Sequence, residues 1–128
     1  MRGPTRKQTN GGRILEPIEF AHVIVDAIAD RLGSEIVLLD MEGVSLLADY
    51  FVLCNAESTP QFRAILKEVE KRAKEAGGRR SHVEGEASSG WVLLDYGFVV
   101  VHIFDPELRA YYKLEELWKE ARLVVRIQ

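Results

Sequence analysis

The sequence has little cysteine and no long apolar run. Cys54 is its one cysteine, so an internal disulfide is impossible, and no Cys/His cluster offers ligands to zinc. We expect Cys54 to be a small core residue in a reducing compartment. No apolar stretch approaches the ~20 residues that span a bilayer, and residues 1–13 lack the apolar segment of a secretory signal. These absences predict a cytoplasmic protein without membrane contact.

Most sequence signatures of catalysis are also missing. The chain has no Gly-rich loop followed by Lys-Ser or Lys-Thr, no G-x-G-x-x-G after a strand and no G-x-S-x-G turn. The histidines, His22, His82 and His102, lie far apart in the sequence and show no metal-ligand spacing. We therefore expect a binding protein that uses neither a cofactor nor a metal, not an enzyme.

Asp40 and Glu42 require separate consideration, because they occupy alternating positions after a predicted strand. Such a pair can hold a divalent cation for nucleotidyl transfer. That chemistry also requires a phosphate-binding turn before a helix, and none lies upstream of Asp40. A solvated strand end is the favoured interpretation, and a divergent nucleotidyltransferase is the alternative.

The charge is unevenly distributed along a chain whose length suits one domain. The 128 residues carry a net charge of −3, yet Arg2, Arg6, Lys7 and Arg13 all precede the first acid, Glu16. Residues 1–14 are predicted to be a disordered basic tail, either simply solvated or in contact with RNA phosphates, and residues 15–128 a single domain. The acidic remainder argues against sequence-independent binding to nucleic acid, although a localised basic patch is compatible with it.

Apolar periodicity predicts alternating helices and strands. Helices are predicted over residues 17–32, 58–76 and 105–112, with 114–118 continuing in helical form. Strands are predicted over residues 35–40, 50–54, 91–95 and 98–104, while 123–127 is either a last strand or an ordered tail. Tyr96-Gly97 is predicted to be a tight hairpin turn. The long helix between strands indicates a crossover, so the fold class is α/β, a mixed sheet flanked by helices.

Aromatic residues near the hairpin are the main candidates for binding. Trp91 opens a strand beside a polar loop, so a core position and an interface anchor are equally compatible with it. His102 shares a strand face with Val100 and Phe104; the favoured interpretation is a buried histidine hydrogen-bonded to a neighbour, and the alternative is a polar partner contact. For Trp118 we favour a packing role.

Residues 83–118 resemble the Iojap family of ribosomal silencing factors. The segment reads V-E-G, W-V-L-L-D-Y-G, V-V-V-H-I-F and R-A-Y-Y-K-L-E-E-L-W. Asp49-Tyr50-Phe51-Val52 is similar to the family's second strand, and the resemblance extends over about residues 17–118. It implies a sheet akin to nucleotidyltransferase folds without their catalytic pattern. It also implies a homodimer when free.

The resemblance further implies a partner and a set of contact residues. The partner is ribosomal protein fourteen of the large subunit, on the face that meets the small subunit, so binding blocks subunit joining when nutrients are scarce. No direct sequence-specific binding to nucleic acid is expected. Trp91 is the expected anchor, and the residues expected around it are Glu84, Gly85, Asp95, Tyr96, Gly97, His102, Arg109 and Tyr112. A structural salt bridge is an equally good interpretation of Arg109.

Two positions depart from the family pattern. Phe98 stands where an acidic residue is usual, and Pro60 stands where arginine is often found. Both departures are expected to alter polar positions near a partner and to leave the apolar framework untouched. A dimeric scaffold whose partner is not the ribosome is a further hypothesis.

Overall fold

The computed structural model describes residues 8–10, 13–80, 82–113, 116 and 119–128. Its helices are α1 (Pro17–Asp30), α2 (Thr59–Glu75) and α3 (Pro106–Tyr112). Its strands are β1 (Gln8–Asn10), β2 (Arg13–Leu15), β3 (Ser34–Asp40), β4 (Tyr50–Asn55), β5 (His82–Glu84), β6 (Trp91–Asp95), β7 (Val99–Phe104) and β8 (Arg122–Ile127). The packing role predicted for Trp118 lies outside the described residues.

The larger sheet is mixed, as predicted. Six of the described strands follow the order β5-β6-β7-β4-β3-β8. Only the central pair, β4 and β7, is parallel among the described pairings, and α2 lies in the connection between these strands. Parallel neighbours require such a crossover, so the prediction from the long helix is confirmed. The last segment, which the sequence left open, is a strand that pairs with β3.

The N-terminal tail is described only in part. β1 and β2 form a separate antiparallel pair in which Gln8 lies opposite Leu15. The sequence did not predict this pairing. Disorder over the remainder of residues 1–14 stays a prediction, whereas Leu15 is already buried in the core of the domain.

The main core lies between one face of the sheet and the helices α1 and α2. Both helices bury most of the apolar stripes that their periodicity predicted, although Leu66 of α2 is only partly buried. The first stripe ends earlier than expected, because Leu32 lies beyond α1 with a φ of 62° and is 80% exposed. Gly33 donates its backbone N–H to the Ile28 carbonyl at 3.0 Å, which turns the chain away from the core.

The start of α2 follows half of the predicted capping box. The Ser58 hydroxyl accepts from the backbone N–H of Gln61 at 3.2 Å, and Pro60 occupies the first turn. The Gln61 side chain instead accepts from the backbone N–H of Glu57 and donates to the Leu32 carbonyl. Gln61 thereby joins the end of α1 to the beginning of α2.

Candidate functional site

The hairpin of β6 and β7 places the predicted binding residues on the second face of the sheet. Alternation sends Trp91 and Leu93 away from the main core, and pairing puts them opposite Phe104 and His102. The turn differs by one residue from the prediction: the Tyr96 backbone N–H bonds to the Val99 carbonyl at 2.9 Å, so Gly97 and Phe98 form its tip. Gly97 has a φ of 88°, which favours glycine.

A cluster of aromatic rings covers this second face. Trp91 is half-buried, with its ring centroid 5.0 Å from Phe104 and 6.3 Å from Tyr112. Its indole Nε1–H donates to Nδ1 of His102 at 3.3 Å. The His102 ring in turn lies 4.8 Å from that of Phe51. We call these five residues, Phe51, Trp91, His102, Phe104 and Tyr112, the aromatic face.

An open cavity adjoins Trp91. Its volume is about 390 Å³, and its lining residues are Glu84, Gly85, Ser89, Trp91, Leu93, Leu108 and Tyr112. Four of the nine residues predicted from the family resemblance therefore line one cavity. Leu93, Leu108 and Ser89 were missed, although strand alternation from Trp91 was a sufficient signal for Leu93. The volume falls in the range of about 300–1,000 Å³ that is typical of ligand pockets.

Gly85 allows two backbone segments to meet beside this cavity. Its φ is 80°, and a Cβ atom at this position would lie 2.1 Å from the Trp91 carbonyl oxygen. The Ser89 hydroxyl donates to the same Trp91 carbonyl at 3.1 Å. The loop after β5 is thus fixed against the start of β6, and only glycine fits at position 85 without displacing Trp91.

His102 is the perturbed titrating group of the aromatic face. Burial lowers its pKa from 6.5 to about 4, because the charged form is poorly solvated there. Its bond from Trp91 also requires an unprotonated Nδ1, which the neutral ring provides. The favoured interpretation from the sequence, a buried histidine bonded to a neighbour, matches this position.

This pKa predicts a specific loss of stability in acid. A histidine kept neutral by folding contributes fully above its unfolded pKa of 6.5, and that contribution is lost as the pH falls towards the folded value of about 4. We expect His102 to account for a loss of about 2 kcal/mol between pH 7 and about pH 5. Urea denaturation of wild type and His102→Gln at both pH values measures it. His22→Gln, at an exposed histidine, is the control, and an unchanged pH dependence in His102→Gln would contradict the assignment.

Arg109 lies apart from the cavity. Its side chain is 4% exposed, and its Nη1 donates at 2.8 Å both to the Glu35 carbonyl and to Oδ1 of Asn55. These bonds join α3 to β3 and β4. The structure thus gives Arg109 an internal bonding role, while a direct contact with a partner stays a prediction.

The predicted turn residues lie at the far end of β6. Asp95 is four residues from Trp91, about 13 Å along a strand. Its carboxylate accepts from the Gly97 backbone N–H at 2.7 Å, which stabilises the turn. Tyr96 is buried in the main core, with its ring centroid 5.4 Å from that of Phe20. The structure does not bring these three residues together with Trp91.

The expectation for Phe98 is wrong in one respect. Phe98 is buried, and its ring centroid lies 5.3 Å from that of Phe20, so it belongs to the apolar framework. The reason is that β7 begins only at Val99, which leaves Phe98 free to pack against α1. Pro60, by contrast, is exposed at the start of α2.

Asp40 of the Asp40 and Glu42 pair makes hydrogen bonds within the protein. Asp40 is buried, and its side chain accepts from Arg122 and from the backbone N–H of Glu42, both at 3.0 Å. Among the described residues, no group of three or more potential ligands is placed to hold a metal ion. Asp40 therefore joins β3 to β8, in place of the solvated strand end that we favoured.

Cys54 is completely buried in the main core, which confirms the prediction for this residue. Desolvation raises the pKa of its thiol to about 12, so the thiolate is not formed near neutral pH. Across the part of the chain that the structure describes, no helix has both the length and the apolar character needed to cross a membrane.

Comparisons with known proteins agree with this geometry. The family described as "Ribosomal silencing factor during starvation" matches residues 15–128. The protein "Ribosomal silencing factor RsfS" of Halalkalibacterium halodurans is 42% identical over 106 residues, which cover 83% of this chain and 91% of that protein. Its namesake in Bacillus subtilis is 45% identical over 97 residues, covering 76% of this chain and 82% of that protein. A crystal structure of a Chromobacterium violaceum protein is similar with a TM-score of 0.78 at 34% identity, and covers 82% of this chain and 88% of that one. The chain therefore belongs to the ribosomal silencing factor family.

Proposed function

We propose that this chain binds the large ribosomal subunit through ribosomal protein fourteen and sterically blocks joining of the small subunit. Translation is thereby repressed under nutrient limitation. Membership of a family of ribosomal silencing factors supports a regulatory role on the ribosome. The observation that carries the finer proposal is the half-buried Trp91 beside an open cavity on the aromatic face.

The cavity beside Trp91 has the composition of a protein-binding surface. Aromatic residues are enriched in interfaces, where tryptophan and tyrosine often contribute most of the binding free energy. Trp91 and Tyr112 flank this cavity, and Glu84 is the charged residue in its lining. Apolar walls with one carboxylate suit the aliphatic stem and the charge of a lysine or arginine. A basic ribosomal protein fits this chemistry, and the net charge of −3 favours its approach.

The proposed mechanism requires only that the bulk of this protein excludes the small subunit and that its interface with the large subunit is of ordinary size. A standard interface buries about 800 Å² on each partner. That is roughly a tenth of the 7486 Å² accessible surface of this chain. The rest of the 14.5 kDa body is then left to occupy space on the joining face of the large subunit.

The proposal includes a cytoplasmic, non-catalytic protein that forms a homodimer when free and uses no cofactor. The contacts of Asp40 support the non-catalytic part, because its carboxylate is already bound by Arg122 and by the backbone of Glu42. The homodimer and the location follow from the family resemblance and from composition.

A subunit-joining assay tests the proposal. Saturating protein added to purified large subunits before small subunits is expected to reduce the joined fraction several-fold in a sucrose gradient, because the joining face is occupied. Protein added after joining is expected to have much less effect, since the small subunit then covers the joining face of the large subunit. Equal joining with and without the protein would refute the mechanism. Failure to sediment with large subunits would favour the scaffold hypothesis.

A further inference from the structure

The outward side of α2 carries a line of positive charge. Arg63, Lys67, Lys71 and Lys74 are all exposed and are spaced four, four and three residues apart. This spacing places them on one side of a helix, with neighbouring charges separated by about 4.5–6 Å along its axis. We call these four residues the basic face of α2.

The acids of α2 do not neutralise this surface. Glu68 is buried and accepts from Arg31 and Arg72, so its negative charge is paired with these two arginines between α1 and α2. Glu70 pairs with Arg80, which follows the helix. Glu75 lies about 40° around the helix from Lys71, at the edge of the basic face, so it offsets at most one of the four charges.

The charge of the whole chain is segregated around this helix. Residues 59–80 contain seven lysines and arginines and three acids, whereas the remainder contains ten lysines and arginines and seventeen acids. A chain with a net charge of −3 therefore carries a concentrated positive surface on one helix. Such a concentration attracts polyanions even when the net charge is negative.

The chemistry of the basic face favours a phosphate backbone over other partners. Three large apolar residues of α2, Phe62, Ile65 and Val69, are buried against the core, and the fourth, Leu66, is partly buried against it. The outward side thus lacks the apolar anchors that a protein interface or a membrane surface requires. Regularly spaced cations without an apolar centre are sufficient to bind a nucleic-acid backbone.

We propose that the basic face of α2 binds RNA phosphates without sequence preference and forms a second contact with the ribosome. The identification of ribosomal RNA as the source of these phosphates rests on the proposed function. α2 packs on one face of the sheet and the aromatic face lies on the other, so the two surfaces are independent. Reading phosphates and not bases agrees with the expected absence of sequence-specific recognition.

Salt-dependent binding to RNA tests this proposal. The probe is a fluorescein-labelled RNA hairpin, and its anisotropy is followed as protein is added at several salt concentrations. For four phosphate contacts, the logarithm of the affinity should fall with the logarithm of salt with a slope of about −3. The K67Q/K71Q/K74Q variant should bind about tenfold or more weakly at low salt, with a slope of about −1. All three positions are exposed, so the fold should be retained.

A matched variant distinguishes the effect of where the positive charges lie from the effect of the net charge of the protein. K113Q/K119Q/R126Q removes the same charge from exposed positions outside α2 and should bind RNA as wild type does. Equal weakening by both variants would overturn the proposal, as would wild-type protein that ignores the hairpin at low salt. Tighter binding to polyglutamate than to RNA would assign the basic face to an acidic protein instead.

The proposed function and the RNA contact of α2 can fail independently of each other. If wild type does not block subunit joining but binds RNA through α2, the proposed function fails and the RNA contact stands. If K67Q/K71Q/K74Q binds RNA as wild type does while wild type still blocks joining, only the present inference fails.

Discussion

Replacing Trp91 by alanine is expected to weaken binding to the large subunit by roughly 30- to 1,000-fold, or about 2–4 kcal/mol. The indole packs on Phe104, bonds to His102 and forms part of the cavity wall, so its loss removes both a contact and the shape of the surface. Because the ring is only half-buried, we expect the variant to fold, with a stability loss of about 1–2 kcal/mol. Sedimentation with purified large subunits measures the affinity, and circular dichroism measures the fold.

Two variants make this experiment decisive. Trp91→Phe keeps an aromatic ring next to Phe104 but cannot donate to His102, so it should retain part of the affinity. Leu32→Ala removes an apolar side chain that is 80% exposed and does not line the cavity, so it should bind normally. An unfolded Trp91→Ala would show that Trp91 is chiefly structural. A folded variant with wild-type affinity would exclude Trp91 as the anchor.

Arg109→Ala is expected to lower the free energy of unfolding by about 3 kcal/mol. The substitution leaves the Glu35 carbonyl and the Asn55 side chain without the two 2.8 Å bonds that Arg109 now donates in a buried setting. Urea denaturation measures the change. Arg126→Ala removes the same charge from an exposed position and should change stability little.

The outcome for Arg109 distinguishes the two interpretations that the sequence left open. Lower stability with normal binding of the folded protein to large subunits would make it a structural residue. Unchanged stability together with weaker binding would instead make it a partner contact. Arg109→Lys is informative as well, because a single ammonium group does not reproduce the planar geometry of guanidinium.

Local patterns in the sequence were sufficient to predict most elements of the fold. The apolar stripes of α1 and α2 face the core, and period-two alternation correctly placed His102 and Phe104 on one side of β7. The pairing of β8 with β3 was not predictable, because its partner residues, such as Asp40 and Arg122, are far apart in sequence. No local pattern specifies which distant strands become neighbours.

The candidate site was predictable only where one short segment forms it. Trp91 and the V-E-G residues meet because β5 and β6 are consecutive neighbours in the sheet. Tyr96 and Phe98 were expected near a partner surface but lie in the core. Tyr96 continues the core-facing alternation of β6, and Phe98 precedes β7 and packs on Phe20. The burial of Arg109 depends on Glu35 and Asn55, which a reading of α3 alone does not reveal.

The position of β8 has a consequence for folding of the chain during its synthesis. This strand covers the outer edge of β3, yet it comprises residues 122–127 and is synthesised after every other described strand. Until β8 is made, the nascent sheet exposes the backbone groups of β3, and such open edges pair readily with foreign chains. Protein shortened by premature termination just before residue 122 should therefore aggregate during expression.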